Sequence, residues 1–126
     1  MTFASMESCL RAGGAMLIGV GSLLLIMPAT ELKHLGQKKA FEDNGLLVAR
    51  ICGIYAAFAG AASYFAAQCD AVEVKRPACI GLLFTQAVEA SVKAAFMPRS
   101  EFLRAGGGNV FMMGIYAIGL LGHKRQ

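Results

Sequence analysis

Four long apolar stretches, separated by short polar connections, dominate the pattern of the chain. They cover residues 12–30, 46–68, 77–97 and 105–122. A helix needs about 20 apolar residues to cross a hydrocarbon core of roughly 30 Å. Lipid offers no partner to backbone polar groups, so a chain this short can cross only as helices. The pattern predicts an all-α integral membrane four-helix bundle with short loops, formed as a single domain over residues 1–126.

Residues that break helices or form turns stand near the ends of these stretches. Pro28 and Pro98 close the first and third stretches, where a helix must stop or kink. Pro77 is expected in the first turn of the third helix, where its missing N–H costs nothing. Asp43-Asn44-Gly45 predicts a turn before the second helix. The connection 31–45 mixes charged and apolar residues, which fits either a short interfacial helix or a solvated loop.

The composition agrees with a membrane protein. Hydrophobic residues make up 56% of the chain and charged residues 16%, whereas charged residues are about 25% of an average soluble domain. The mean hydropathy is +0.56, and a domain this small cannot bury so many apolar side chains in one core. This excludes a soluble enzyme, a disordered regulator and a disulfide-stapled secreted module. The basic residues are scattered over helix ends, so the net charge of +4 does not indicate nucleic-acid binding.

The sequence leaves the orientation in the membrane open. Four crossings place both chain ends on one side, with five basic residues there and six on the other side. The positive-inside rule needs an excess on one side and therefore selects neither orientation. The first stretch is long for a secretory signal and carries no convincing cleavage site, so we do not expect cleavage. The expected location is a multi-pass position in a membrane, with organellar inner membrane and endomembrane both open.

Two charges and one amide inside the third stretch are the best candidates for function. Glu89 follows Gln86 by three residues, and Lys93 follows Glu89 by four, so Gln86, Glu89 and Lys93 share one helix face. Charges near mid-bilayer are costly, so this intramembrane polar stripe should face protein. It is either a proton or ion path, a polar contact with a partner subunit, or an internal ion pair that fixes helix register. Arg50, an interfacial charge near the start of the second helix, is expected to anchor that helix, with a contact to Glu89 as the alternative.

Small residues form a groove along the second helix. Without a hydrophobic drive between helices in lipid, such grooves let two backbones approach closely. They indicate tight helix packing, within the bundle or against a partner, and give no sign of catalysis. Two parallel rows line this helix-packing groove: Ala49, Gly53, Ala57 and Ala61, and beside them Ala56 and Gly60.

The remaining reactive residues show no recognisable pattern of a catalytic or metal-binding site. The four cysteines have no metal-binding spacing: Cys9, Cys52, Cys69 and Cys79. Buried free thiols are the main expectation, and a disulfide between Cys69 and Cys79 is the alternative. His34 and His123 lie outside the stretches without a second ligand, and the glycine-rich run 104–108 lacks a phosphate-binding pattern. We therefore expect no catalytic residue, no cofactor, no metal and no enzymatic activity.

One loose motif resembles a known family. It consists of Pro28-Ala29, then Leu32 and Leu35-Gly36, then the run from Arg50 to Tyr55 with Gly60. This layout resembles small four-helix membrane proteins of the DoxX-like type. The resemblance implies a four-helix membrane fold and, for some members, a quinone-linked or accessory redox role. It implies no catalytic residue in this chain.

Three functions fit these observations. The first is a non-catalytic accessory or structural subunit that packs within a larger membrane assembly of the respiratory, ATP-synthase or photosynthetic type. Its partners would be membrane lipids and other membrane subunits, with no nucleic acid. The second is a small transporter or proton-conducting protein that uses Glu89 and Lys93. The third is a membrane redox helper of the DoxX-like type.

Overall fold

The computed structural model describes residues 5–34 and 43–124, with side chains over 5–31 and 45–122. The secondary structure of this described part is entirely α-helical, which confirms the predicted all-α class. The helices in chain order are α1 (Met6–Ile26), α2 (Pro28–His34), α3 (Asp43–Gln68), α4 (Val72–Phe96), α5 (Arg99–Ala105) and α6 (Gly107–Lys124).

The first helix begins earlier than its apolar stretch. Ser5 caps α1, because its side-chain oxygen accepts a hydrogen bond from the backbone N–H of Ser8 at 3.1 Å. Glu7 in the first turn favours the same start through the helix dipole. The helix therefore starts at Met6, ahead of the uncharged stretch at residue 12.

Pro28 ends α1 and starts α2. The residue before a proline is pushed out of the helical region, and Met27 accordingly has φ −129° and ψ 62°. Pro28 then takes the first position of α2, where a proline is well tolerated. The choice between an interfacial helix and a loop for residues 31–45 is not decided, because residues 35–42 lie outside the described part.

The second and third predicted helices, 46–68 and 77–97, begin earlier than predicted. Asp43-Asn44-Gly45 was expected as a turn, but α3 already begins at Asp43. Pro77 was expected in the first turn of the third helix, yet α4 begins at Val72 and contains Pro77 in its interior. A proline there removes only one hydrogen bond, to a carbonyl of the first turn, which explains why the helix continues through it.

The fourth apolar stretch belongs to a bent pair of helices. The polar connection after Pro98 folds as α5, with Pro98 as its N-cap. Gly106 separates α5 from α6, and the axes of the two helices differ by 44°. A side chain at Gly106 would clash with the ring and backbone of Phe102, so this break requires glycine. The helix predicted over residues 105–122 is therefore continuous only from Gly107 onward, as α6.

The long helices pack as two tight pairs joined side by side. The most extensive contact is between α1 and α3, followed by that between α4 and α6. The two pairs meet mainly where α1 contacts α6, and α3 touches α4 less extensively. Cys9 near the start of α1 packs on Gly119 near the end of α6, so these two ends lie together.

Three helices are long and apolar enough to cross a membrane: α1, the part of α3 from Gly45 to Gln68, and α4. The pair of α5 and α6 meets the same criterion if the bent pair is counted as one span. Most of each span is not buried inside the protein. Large apolar side chains instead cover the exterior, including Phe58, which is 73% exposed, and Phe96, which is 85% exposed.

Candidate functional site

The polar stripe of α4 faces α6. Helix geometry places Gln86, Glu89 and Lys93 on neighbouring turns of one side of α4. All three bond to Asn109 in the first turn of α6. Gln86 is 4% exposed and Asn109 is 6% exposed, which places this contact between the two helices. We call these four residues the polar cluster.

The Asn109 amide is the centre of the polar cluster and uses both of its ends. Its Nδ2 donates to Oε1 of Gln86 at 2.7 Å and to Oε2 of Glu89 at 2.5 Å. Its Oδ1 accepts from Nζ of Lys93 at 2.7 Å. Since an amide nitrogen donates and an amide oxygen accepts, this arrangement satisfies Asn109 in the only orientation that suits all three neighbours.

The two charges of the polar cluster are joined through this amide. Among the described residues, the direct ion pair is the surface contact of Arg11 with Glu7 at 2.9 Å. Glu89 and Lys93 do not form such a pair, although a direct internal ion pair was one of the sequence-based interpretations. The carboxylate instead lies at the nitrogen end of Asn109 and the ammonium at its oxygen end, so each charge meets the complementary end of one dipole.

Lys93 also reaches the break between α5 and α6. Its Nζ donates to the backbone oxygen of Ala105, the last residue of α5, at 2.9 Å. A lysine at a helix C-terminus satisfies a carbonyl without an intrahelical partner and complements the negative end of the dipole. Lys93 therefore ties α4 both to the end of α5 and, through Asn109, to the start of α6.

Sequence analysis missed Asn109, although a signal for it existed. The fourth apolar stretch contains no charge, and Asn109 is an amide near its start. An amide in a membrane-spanning helix needs a hydrogen-bond partner on another helix. That reasoning predicts a contact with some polar residue of another span, and the stripe of α4 offered the most candidates.

A second, uncharged contact joins the four long helices at Tyr116, near the middle of α6 and about two turns beyond Asn109. Tyr116 of α6 is 0% exposed, and its ring fills the space beside Gly13 of α1. Ser63 of α3 donates to the Leu10 oxygen at 2.7 Å and lies 3.3 Å from the Tyr116 hydroxyl. The thiol of Cys79 on α4 donates to the Tyr116 backbone oxygen at 3.4 Å. Sequence analysis gave Tyr116 and Ser63 no role.

In the structure, α1 lies along the helix-packing groove of α3. A Cβ added to Gly60 would lie 2.6 Å from the Gly14 oxygen. A Cβ added to Gly21 would lie 2.5 Å from the Gly53 oxygen and from the Ala57 nitrogen. Only glycine permits backbones to approach this closely. The other residues of the groove are buried or half-buried: Ala49, Ala56 and Ala61.

Arg50 stands apart from the polar cluster. Because α3 begins at Asp43, Arg50 lies about two turns inside the helix, and its residue is exposed. Within the described part of the chain it forms no ion pair with Glu89. The alternative contact between these two residues is therefore not made within one copy of the chain.

The cysteines form no further site within the described part of the chain. Cys9 and Cys79 are buried, Cys52 and Cys69 are exposed, and all four are free, so the alternative disulfide between Cys69 and Cys79 is not formed. Across residues whose side chains are described, no group of three His, Cys, Asp or Glu residues could hold a metal ion. The side chains of His34 and His123 lie outside that part.

The chemistry available to the polar cluster is limited by its own hydrogen bonds. In the described side chains, every buried nitrogen or oxygen atom has a hydrogen-bond partner. The cluster can hold α4 on α6 in one register and place each of its two charges at the complementary end of the Asn109 amide. Comparison with models of known protein families, with curated proteins and with solved structures finds no match. The resemblance to DoxX-like proteins stays a prediction.

Proposed function

We propose that the chain is a multi-pass integral membrane protein with four crossings, in which α5 and α6 cross together as one bent span. Three long apolar helices and the bent pair support this count. Large apolar side chains such as Phe58 and Phe96 point outward from the helices. An exterior of this kind favours aggregation in water, whereas it suits a hydrocarbon surrounding.

We further propose that the protein is a non-catalytic subunit that packs within a larger membrane assembly. The observation that carries this proposal is that polar side chains within the long helices bond to other helices of the same chain. The polar cluster and the contact of Ser63 with Tyr116 join helix to helix, as a structural subunit requires. The connections 69–71 and 97–98 are also too short to form a domain outside the membrane.

The test is the size of the particle that contains the chain. Native membranes are solubilised in a mild detergent, separated by size, and the proteins that co-migrate are identified by mass spectrometry. We expect the chain in a particle many times heavier than 13.3 kDa, with partners at fixed stoichiometry. Migration as a monomer or small homo-oligomer contradicts the proposal.

A small transporter or proton-conducting protein is the second candidate, and one observation favours it. The polar cluster lies where the fourth span breaks, with Lys93 bonded to the end of α5 and Asn109 at the start of α6. Broken helices beside polar groups are a common way to build ion sites in transporters. Glu89, whose residue is exposed, would then be the group that accepts and releases a proton.

These two candidates respond differently to removal of charge. For a transporter, Glu89→Gln alone abolishes flux across vesicles that contain the purified protein. For a subunit, vesicles with the wild-type chain show no flux above empty vesicles. A redox helper would instead retain a cofactor signal after purification.

A further inference from the structure

Only one oxygen of the Glu89 carboxylate is hydrogen-bonded within the described part of the chain. Its Oε2 accepts from Asn109, and Oε1 has no hydrogen-bond partner among the described residues. The ammonium of Lys93 is directed to Asn109 and to the Ala105 oxygen. Glu89 is exposed, in contrast to buried Gln86 one turn away. One oxygen of the carboxylate is therefore left without a partner in the described part of the chain.

Glu89 lies deep within its span. It precedes Phe96, the last residue of α4, by seven residues, which corresponds to about 10 Å along the helix. A carboxylate at this depth cannot face lipid tails without a large penalty, and intramembrane charges accordingly face protein or water. The exposure of Glu89 in the isolated chain thus marks a position that another molecule covers.

The surface around Glu89 has the shape that a second helix requires. Gly81, Thr85 and Glu89 follow each other at intervals of four residues along α4, with Phe96 further along the same side. The space beside Gly81 is open. Thr85 donates its hydroxyl to the Gly81 oxygen at 2.8 Å and needs no further partner. A shallow groove of small side chains therefore leads to the carboxylate.

The chain itself shows how such a surface is used. On α3, Gly53 and Gly60 have no side chain, and the backbone of α1 therefore approaches them closely. On α4, the groove beside Gly81 receives nothing from the described part of the chain. The second groove leads to a carboxylate oxygen that has no partner in the described part of the chain, and such an oxygen favours an occupant with a hydrogen-bond donor, most strongly a positively charged one.

We propose that the face of Gly81, Thr85 and Glu89 binds a membrane-spanning helix of a partner subunit, and that this helix carries an Arg or Lys side chain opposite Glu89. This rests on the proposed function and names the chemistry of its interface. Arg suits the site because its guanidinium can bond to the free carboxylate oxygen and stays charged at any depth. The small residues bring the two helices close enough for that bond.

The test is photocrosslinking in native membranes from a reactive side chain within the groove. The variant Thr85→benzoylphenylalanine is expected to form one adduct with a membrane protein, and mass spectrometry should place the linkage in a span that contains Arg or Lys. Phe58→benzoylphenylalanine on the exterior of α3 is the matched control and should not give this adduct. An adduct with a second copy of the chain, or with lipid alone, overturns the proposal.

Charge and shape are then tested separately on that adduct. Glu89→Gln should lower its yield roughly tenfold, the factor that corresponds to about 1.4 kcal/mol. Changing the partner's basic residue to Gln in the same background should cause no further loss. Gly81→Leu should also block the adduct, whereas Gly114→Leu, at another open position, should not. Unchanged yield with both Glu89→Gln and Gly81→Leu contradicts the proposal.

The outcomes also separate this inference from the proposed function. If the chain migrates in a large particle and position 85 forms no adduct, the interface is wrong and the subunit role stands. If the chain migrates alone in mild detergent, the subunit role fails and the interface fails with it.

Discussion

Replacing Asn109 by Leu should destabilise the fold more than any other single change among polar residues of the spans. The substitution keeps a side chain of moderate size but removes the amide that joins α4 to α6. It breaks the bonds to Gln86, Glu89 and Lys93 together. It also leaves the buried Gln86 amide without its partner on α6.

The size of the effect follows from the number of bonds that are lost. Hydrogen bonds between membrane-spanning helices contribute about 0.6 kcal/mol on average and about 1.7 kcal/mol at most. Three of them at Asn109 correspond to a loss of about 2 to 5 kcal/mol in the free energy of unfolding. Charged partners and the low exposure of Gln86 and Asn109 favour the upper half of this range.

The assay is reversible unfolding of the purified protein in mixed micelles, in which sodium dodecyl sulfate is increased and helix content is followed by circular dichroism. Val110→Ala, at an exposed neighbouring position, is the control and should change stability by less than about 0.5 kcal/mol. A loss this small for Asn109→Leu would refute the reasoning. Replacing Gln86, Glu89 and Lys93 by Leu in the Asn109→Leu background should recover much of the loss, because no side chain of the polar cluster then lacks a partner, although the Ala105 oxygen loses Lys93.

Three further outcomes follow from the structure. Gly60→Leu should separate α1 from α3 and lower the free energy of unfolding by about 3 kcal/mol or more. Gly19→Leu, at a position with open space, should be neutral in the same micelle assay. Tyr116→Phe should cost only about 1 kcal/mol by that assay, because it removes one hydroxyl contact of 3.3 Å and keeps the ring. Maleimide should modify Cys69 in the folded protein and Cys79 only after unfolding, as mass spectrometry of the digested protein would show.

Much of the helical structure could be predicted from local pattern. The long apolar runs predict the helices that could cross a membrane, because length and hydropathy are properties of the segment itself. The stop at Pro28 follows from the geometry of proline. The shared side of Gln86, Glu89 and Lys93 follows from helix periodicity alone. These features need no knowledge of which helices are neighbours.

The contacts between helices could not be predicted in the same way. The bond between Ser63 and Tyr116 joins residues 53 positions apart, and no local pattern indicates which distant residue a side chain will meet. The position of the bend at Gly106 could not be predicted, because it lies in a run of three glycines, each of which could break a helix. The early start of α1 depends on Ser5, whose role as a cap is visible only once the helix direction is known.

Labelling from one side of sealed vesicles tests whether the chain crosses the membrane four times, with α5 and α6 together forming the last crossing. In a chain with Cys52 and Cys69 changed to Ser, single cysteines are introduced as Ser100→Cys and Gly122→Cys and treated with an impermeant maleimide. We predict that positions 100 and 122 are modified from opposite sides of the membrane. Modification of both positions from the same side would mean that the bent pair enters and leaves on one face, and would contradict the account.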